Sequence, residues 1–189
     1  VLSLSSQAIE LGLEQLTLDL GLGYLNRAGR GLQCAHQYDE HYFLVSGCPE
    51  SGPRVAAEWG PPMGWSEAAQ LPLCLLTPEM HNRSLVDDAF RQAGVVPVPV
   101  LETNAVSALS VGVLAGKMAT ILPGALVATL MQQPDLRVQP LVNPGLATPV
   151  GWLSLKSEQT GRVVSAALRL SQDPQWLAQL AAFSGSLNG

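Results

Sequence analysis

The chain has 189 residues, 47% of them hydrophobic and only 13% charged, with a formal net charge of −5. That length suits one large domain or two small ones, and so few charges describe a well-packed globular chain with little solvating surface. An acidic balance without a Lys/Arg cluster offers no phosphate-neutralising face, which excludes nucleic-acid binding by the chain as given.

In chain order, residues 1–4 read as a strand, and Ser5 or Ser6 can cap a helix over residues 7–15, with Ile9, Leu13 and Leu16 at helical spacing. Residues 17–24 read as a strand in which Gly21 and Gly23 permit close backbone approach. After a polar turn over residues 26–31 come two extended runs, residues 32–38 and 41–46, separated by Asp39 and Glu40. A Gly/Pro-rich connector fills residues 47–64, and Ser66 starts a short helix before Leu71. Residues 73–76 form a continuous apolar strand of the kind covered on both faces, which ends in Thr77-Pro-Glu-Met-His-Asn82-Arg83. A helix over residues 84–93 stops at Gly94.

The most ordered stretch is ETNAVSALSVGVLAGKMATILP, residues 102–123. Thr103 and Asn104 are N-cap residues for a helix over residues 105–114, with Gly116 at its C′ position. Residues 118–122 follow as a buried strand, ended by Pro123. With residues 97–101 extended before it, this is one βαβ unit, and its capped helix start faces where ligands bind in open α/β sheets. Residues 106–130 are apolar enough to resemble a membrane span, but Gly116, Lys117, Pro123 and Gly124 break the run into pieces about half a bilayer long. The chain closes with a helix over residues 124–131, strands over 136–142 and 150–155, an amphipathic helix over 160–171, and a weakly structured tail from Asp173.

One organisational pattern exceeds any motif. Helix AIELGLEQL, strand LDLGLGYL and paired strands LQCAHQY and HYFLVSG are echoed in order by AVSALSVGVLAG, MATILPGAL, LRVQPLV and VGWLSLK. Two similar α/β subdomains follow, each ending in a strand that passes into the other, with a hinge and a ligand-sized cleft between them.

Chemistry-bearing motifs are sparse. There is no GxSxG, and no serine or cysteine sits in a recognisable base-activated motif, so no catalytic residue and no enzyme activity are expected. Cys34, His36 and His41 lack a second ligand pair, so no metal site is expected, and no cofactor. Three widely spaced cysteines without CxxC suit free thiols in a reducing compartment. No signal peptide is visible and the location expected is cytoplasmic. The polar groups with a mechanism stand where strands hand over to helices: Ser5 and Ser6, Thr77 with Asn82, and Thr103 with Asn104. Helix N-termini carry free N–H groups and partial positive charge, which suit a carboxylate or small oxyanion, and Arg83 adds a charged fork. Taken singly, each is an ordinary cap worth about 1 kcal/mol.

SSQAIELGLEQLTLDLGLGYL, YDEHYFLVSGCPES, WSEAAQLPLCLLTP, VLETNAVSALSVGVLAGKMATILP and LRVQPL, in that order, resemble the effector-binding domain of LysR-type transcriptional regulators. LPLCLLTPEMHNR followed by ETNAVSAL further resembles the branch encoded beside formate dehydrogenase operons. The resemblance implies a periplasmic-binding-protein-like type II fold of two Rossmann-like lobes joined by two crossover strands. It divides the chain into lobe I (residues 1–46 and 153–189), lacking its N-terminal strand and helix, and lobe II (residues 47–152). It also implies a small effector between the lobes, a homo-oligomer (dimer or tetramer), DNA contact only through an N-terminal helix-turn-helix domain that this sequence does not contain, and no membrane. The family's ligand positions carry over to Ser5, Ser6, Thr77, Asn82, Arg83, Thr103, Asn104 and Thr120. A solute-binding protein of the same fold is the alternative.

Overall fold

A computed structural model describes residues 1–2, 4–48, 56–115, 118–156 and 161–183. Two compact units result, one from Val1–Glu40 with Ala147–Gly189, the other from His41–Leu146.

In the first unit, α1 (Ser6–Glu14) starts at Ser5, whose hydroxyl accepts from the Ala8 N–H at 3.2 Å. β1 (Gly21–Tyr24) pairs antiparallel with β9 (Ala147–Leu155), Gly21 opposite Leu153. The neighbour of β9 on its other side is β2 (Leu32–Gly47). Leu13, Leu32 and Leu153 are the buried core, with Ile9 and Leu18 packed against them. Two expectations change here. The Asp39-Glu40 pair does not divide the extended run, because Glu40 is buried in the strand and accepts a hydrogen bond from the Tyr24 hydroxyl at 2.9 Å. Val1, Leu2 and Leu4 lie outside any strand and are exposed, since no ladder partner meets them among the described residues.

Residues 174–183 of the C-terminal tail are helical rather than weakly structured. α6 (Arg162–Leu170) is followed by α7 (Pro174–Phe183). The carboxylate of Asp173 accepts from the Gln175 and Trp176 N–H groups at 2.8 and 3.0 Å, and Pro174 occupies the first helical position, where its missing N–H costs nothing. The Trp176 ring stacks on Trp152 (centroids 6.4 Å apart), and its Nε1–H donates to Gln37 Oε1 at 3.0 Å.

The second unit is a mixed sheet covered on both faces. β5 (Cys74–Leu76) pairs parallel with β6 (Leu101–Thr103), and a parallel bridge joins Leu73 to Ala119 at the start of β7 (Ala119–Pro123). β7 and β8 (Leu136–Val142) flank the end of β2, both antiparallel to it. β3 (Glu58–Trp59) and β4 (Met63–Gly64) run parallel to β8 at the far edge. Alternation along β2 sends Tyr42 and Leu44 to one face and Phe43 and Val45 to the other. The first face packs on α2 (Trp65–Ala68) and α3 (His81–Gln92) through Trp65, Val86, Ala89 and Phe90. The second packs on α4 (Val106–Leu114) and α5 (Gly124–Leu130) through Leu109, Val113 and Val127.

α3 begins a turn earlier than the apolar spacing suggests and ends as expected, at Gly94 with φ +74°, the left-handed C′ residue glycine accepts without cost. The extended run before β6 carries two prolines that cannot donate to a ladder, so pairing is delayed to Leu101. The expected C′ role of Gly116 lies outside the described residues. Among the described residues no helix is long and apolar enough to cross a membrane.

Candidate functional site

The parallel pairing of β5 and β6 sets Leu76 opposite Thr103, so both strands end together. The Thr77 N–H then donates to the Thr103 carbonyl at 3.0 Å, tying the two strand-to-helix turns side by side. Thr77, Asn82, Arg83 and Thr103 are thereby gathered at one end of the second unit, with Asn104 next in the chain and exposed. Neither α3 nor α4 has a side-chain hydrogen bond at its N-cap, which is Met80 in α3 and Ala105 in α4. Orphan N–H groups at such starts are available to a ligand.

That placement corrects the reading of Thr103 and Asn104 as N-caps. The Thr103 hydroxyl accepts from the Ala105 N–H at 3.1 Å, two residues on, and the helix starts only at Val106. A local turn of this kind competes with capping, because the short hydroxyl reaches the nearest N–H first.

Arg83 is the central charged group, its side chain only 9% exposed. Nε–H donates to Asp87 Oδ1 at 2.8 Å, one helical turn on, and Nη1 donates to both the Leu76 carbonyl and Glu102 Oε1. Burial alone would lower its pKa, but the hydrogen bonds and charges of Asp87 and Glu102 outweigh that and raise it. Thr77 donates its hydroxyl proton to Glu79 Oε1 at 2.7 Å, and this bond, with one from the Glu79 backbone, holds the Glu79 carboxyl below its ordinary range. Glu79, Asp87 and Glu102 are the groups sequence reasoning missed. Arg83 and Asp87 stand four apart on a helix, a readable signal; the Glu102 contact depends on strand pairing and is not.

Beside these groups lies a small cavity of about 20 Å³, room for one water-sized group, whose walls include Leu76, Asn82, Arg83, Val106, Leu109 and Pro123. Thr120 is fully buried on β7, its hydroxyl unpartnered among the described residues, on the same face as Leu122 and outside the cavity wall. Ser5 and Ser6 belong to the first unit, Ser5 as the cap of α1 and Ser6 as its first residue. Burial pushes the Cys74 thiol up, which keeps it protonated and unsuited to nucleophilic work. Among the described residues no three His, Cys, Asp or Glu side chains are placed to hold a metal ion.

A family model described as the LysR substrate binding domain matches residues 1–174. The chain belongs to the LysR substrate-binding domain family. Solved structures of LysR relatives share its mixed α/β fold, which is periplasmic-binding-protein-like, type II. Full-length CbnR in complex with its target DNA is 18% identical (TM-score 0.71), over 89% of this chain and 56% of that one. The C-terminal domain of a probable LysR regulator from Rhodococcus sp. RHA1 is 19% identical (TM-score 0.70), over 90% of this chain and 82% of that one. The effector-binding domain of QuiR, solved in complex with shikimate, is 14% identical (TM-score 0.67), over 88% of this chain and 76% of that one. The chain thus spans about half the length of full-length relatives such as CbnR. The comparison with curated protein sequences gave no match.

In this LysR-type domain Arg83 joins three elements, and replacing it is expected to show that. Fully buried pairs cost 3–5 kcal/mol when broken. Asp87 and Glu102 are 32% and 41% exposed and can rehydrate, so Arg83→Met is expected to lose about 2 kcal/mol in urea unfolding. A loss below about 0.5 kcal/mol would mean that the pairs contribute no more than surface ones.

Proposed function

We propose that this chain is the ligand-sensing and oligomerisation domain of a cytoplasmic LysR-type transcriptional regulator, with a regulatory rather than catalytic role. A small anionic effector binds at the turns Thr77–Arg83 and Thr103–Asn104 and changes the DNA-bound arrangement of the full-length protein; Ser5, Ser6 and Thr120 are further candidate contacts. The observation that carries the reading is that two uncapped helix starts, through Asn82 and Val106, and the buried Arg83 line one small cavity, next in the chain to the paired Thr77 and Thr103 turns. Shikimate in QuiR is a small effector of a relative with this fold. The wording of LPLCLLTPEMHNR and ETNAVSAL supports placement in the branch encoded beside formate dehydrogenase operons.

Self-association has its own support. Val96, Val98, Val100 and Leu101, on the run into β6, and Val111 and Leu114, on α4, are exposed, and α4 packs on β6. An apolar edge of this kind suits a second copy of the chain. Sedimentation is expected to give a dimer or larger, and a monomer at high concentration would remove this part of the proposal.

The site is tested by titrating small carboxylates, acetate first, and following backbone amide NMR shifts. Changes are expected at residues 76–83 and 103–106. Thr103→Val removes the acceptor of the Ala105 N–H at nearly constant shape, and is expected to weaken acetate binding more than it lowers stability, by about 1 kcal/mol. Equal losses would return Thr103 to a purely structural part.

A further inference from the structure

The guanidinium that suits an incoming anion is already engaged. Glu102 places a carboxylate on Nη1 of Arg83, which is the kind of group a guanidinium holds in an anionic ligand. The partners of Arg83 are not equivalent. Asp87 sits on the same helix, one turn away, and is fixed by α3 itself, whereas Glu102 reaches Arg83 from β6 with its side chain 41% exposed. Glu102 can therefore leave for water at small cost, while Arg83, 9% exposed, stays buried beside Asp87 with its Nη1 position open to another acceptor.

Charge balance decides how an anion would enter. With both carboxylates in place the cluster carries one positive and two negative charges, so a further anion is repelled. If the anion replaces Glu102, the count of charges in contact with Arg83 is unchanged, and the displaced carboxylate is solvated. Addition is unfavourable and exchange is close to neutral.

We infer that Glu102 is an internal stand-in for the effector: a ligand carboxylate takes its place on Arg83, and the released Glu102 frees the β6–α4 turn beside it. This rests on the proposed site and adds its ligand chemistry and its switch. Glu102 directly precedes Thr103 and Asn104, so ligand exchange at Arg83 is transmitted by one peptide bond to the turn that starts α4. A neutral ligand has no reason to make the exchange, which makes Glu102 a specificity-determining residue for anions.

Titration of the chain with sodium acetate and with acetamide, read by amide NMR shifts, tests this in Glu102→Gln and Asp87→Asn. An internal competitor that holds the site for about nine-tenths of the time weakens apparent affinity roughly tenfold. Glu102→Gln is thus expected to bind acetate roughly tenfold more tightly than the unsubstituted chain, with acetamide unchanged. Asp87→Asn removes the same charge without vacating the Nη1 position and is expected to gain less. Equal gains in the two variants would mean electrostatic relief alone and would overturn the exchange. So would acetate that shifts residues 76–83 and 103–106 with an affinity indifferent to Glu102→Gln, leaving the site itself intact. Shifts outside those residues, or none, would overturn the site and the exchange together.

Discussion

Gly151→Ala is expected to unfold the first unit's sheet at temperatures where the unsubstituted chain is intact. A Cβ on Gly151 would lie 2.3 Å from the Ala35 carbonyl oxygen and 2.9 Å from the His36 Cα, and both are backbone atoms of β2. No rotamer relieves a contact with backbone, so the strands must separate and their ladder bonds go with them. Ordinary overpacking costs 1–3 kcal/mol, and here about 3 kcal/mol or more is expected. Circular dichroism and tryptophan fluorescence report it together, because Trp152 is the next residue and stacks on Trp176. Gly23, whose nearest would-be neighbours are side-chain atoms at 3.6 Å or beyond, supplies the control: Gly23→Ala should cost under 1 kcal/mol. Similar losses in both would refute the steric account.

Trp65→Ala is the corresponding test in the second unit. The Trp65 side chain is fully buried, its ring meets Phe90 edge-on with centroids 4.9 Å apart, and its Nε1–H donates to the Pro144 carbonyl at 2.7 Å. Truncating a buried aromatic to alanine costs 3–5 kcal/mol, and about 4 kcal/mol is expected from urea unfolding. Trp65→Phe keeps much of the apolar volume and strands the Pro144 carbonyl, and about 2 kcal/mol is expected. A phenylalanine variant as unstable as the alanine one would show that the hydrogen bond, rather than packing, carries the site.

The helix and strand pattern of the second unit was legible because its apolar residues are local and periodic. Residues 136–142 and 124–131 match β8 and α5 to within a residue. Two kinds of error recur elsewhere. Charge in the sequence marks a break where burial makes the residue a strand member, as at Glu40, whose partner Tyr24 is 16 positions away. A polar residue near a helix start has the sequence signature of a cap whatever its side chain meets first, as at Thr103. The missed α7 had a full start signal, Asp173 then Pro174, in a segment whose low apolar periodicity hid it. At the candidate site the residue types were legible, but their mutual engagement was not. Thr77 with Glu79 and Arg83 with Glu102 are pairings that only the parallel register of β5 and β6 and the turn after β5 create.

β2 has a consequence for the order in which the chain acquires its structure. Its residues up to Glu40 belong to the first unit and those from His41 to the second, so the second unit is a contiguous segment inserted into a discontinuous one. The β1–β9 ladder joins Gly21 to Leu153 and so must close a very long loop. Early in folding that closure is entropically costly, whereas the contacts of the inserted segment span much shorter separations. The inserted segment is thus placed to fold first and to shorten the path between the two halves of its host. Kinetic probes at Trp152 and Trp176 should accordingly lag behind one at Trp65.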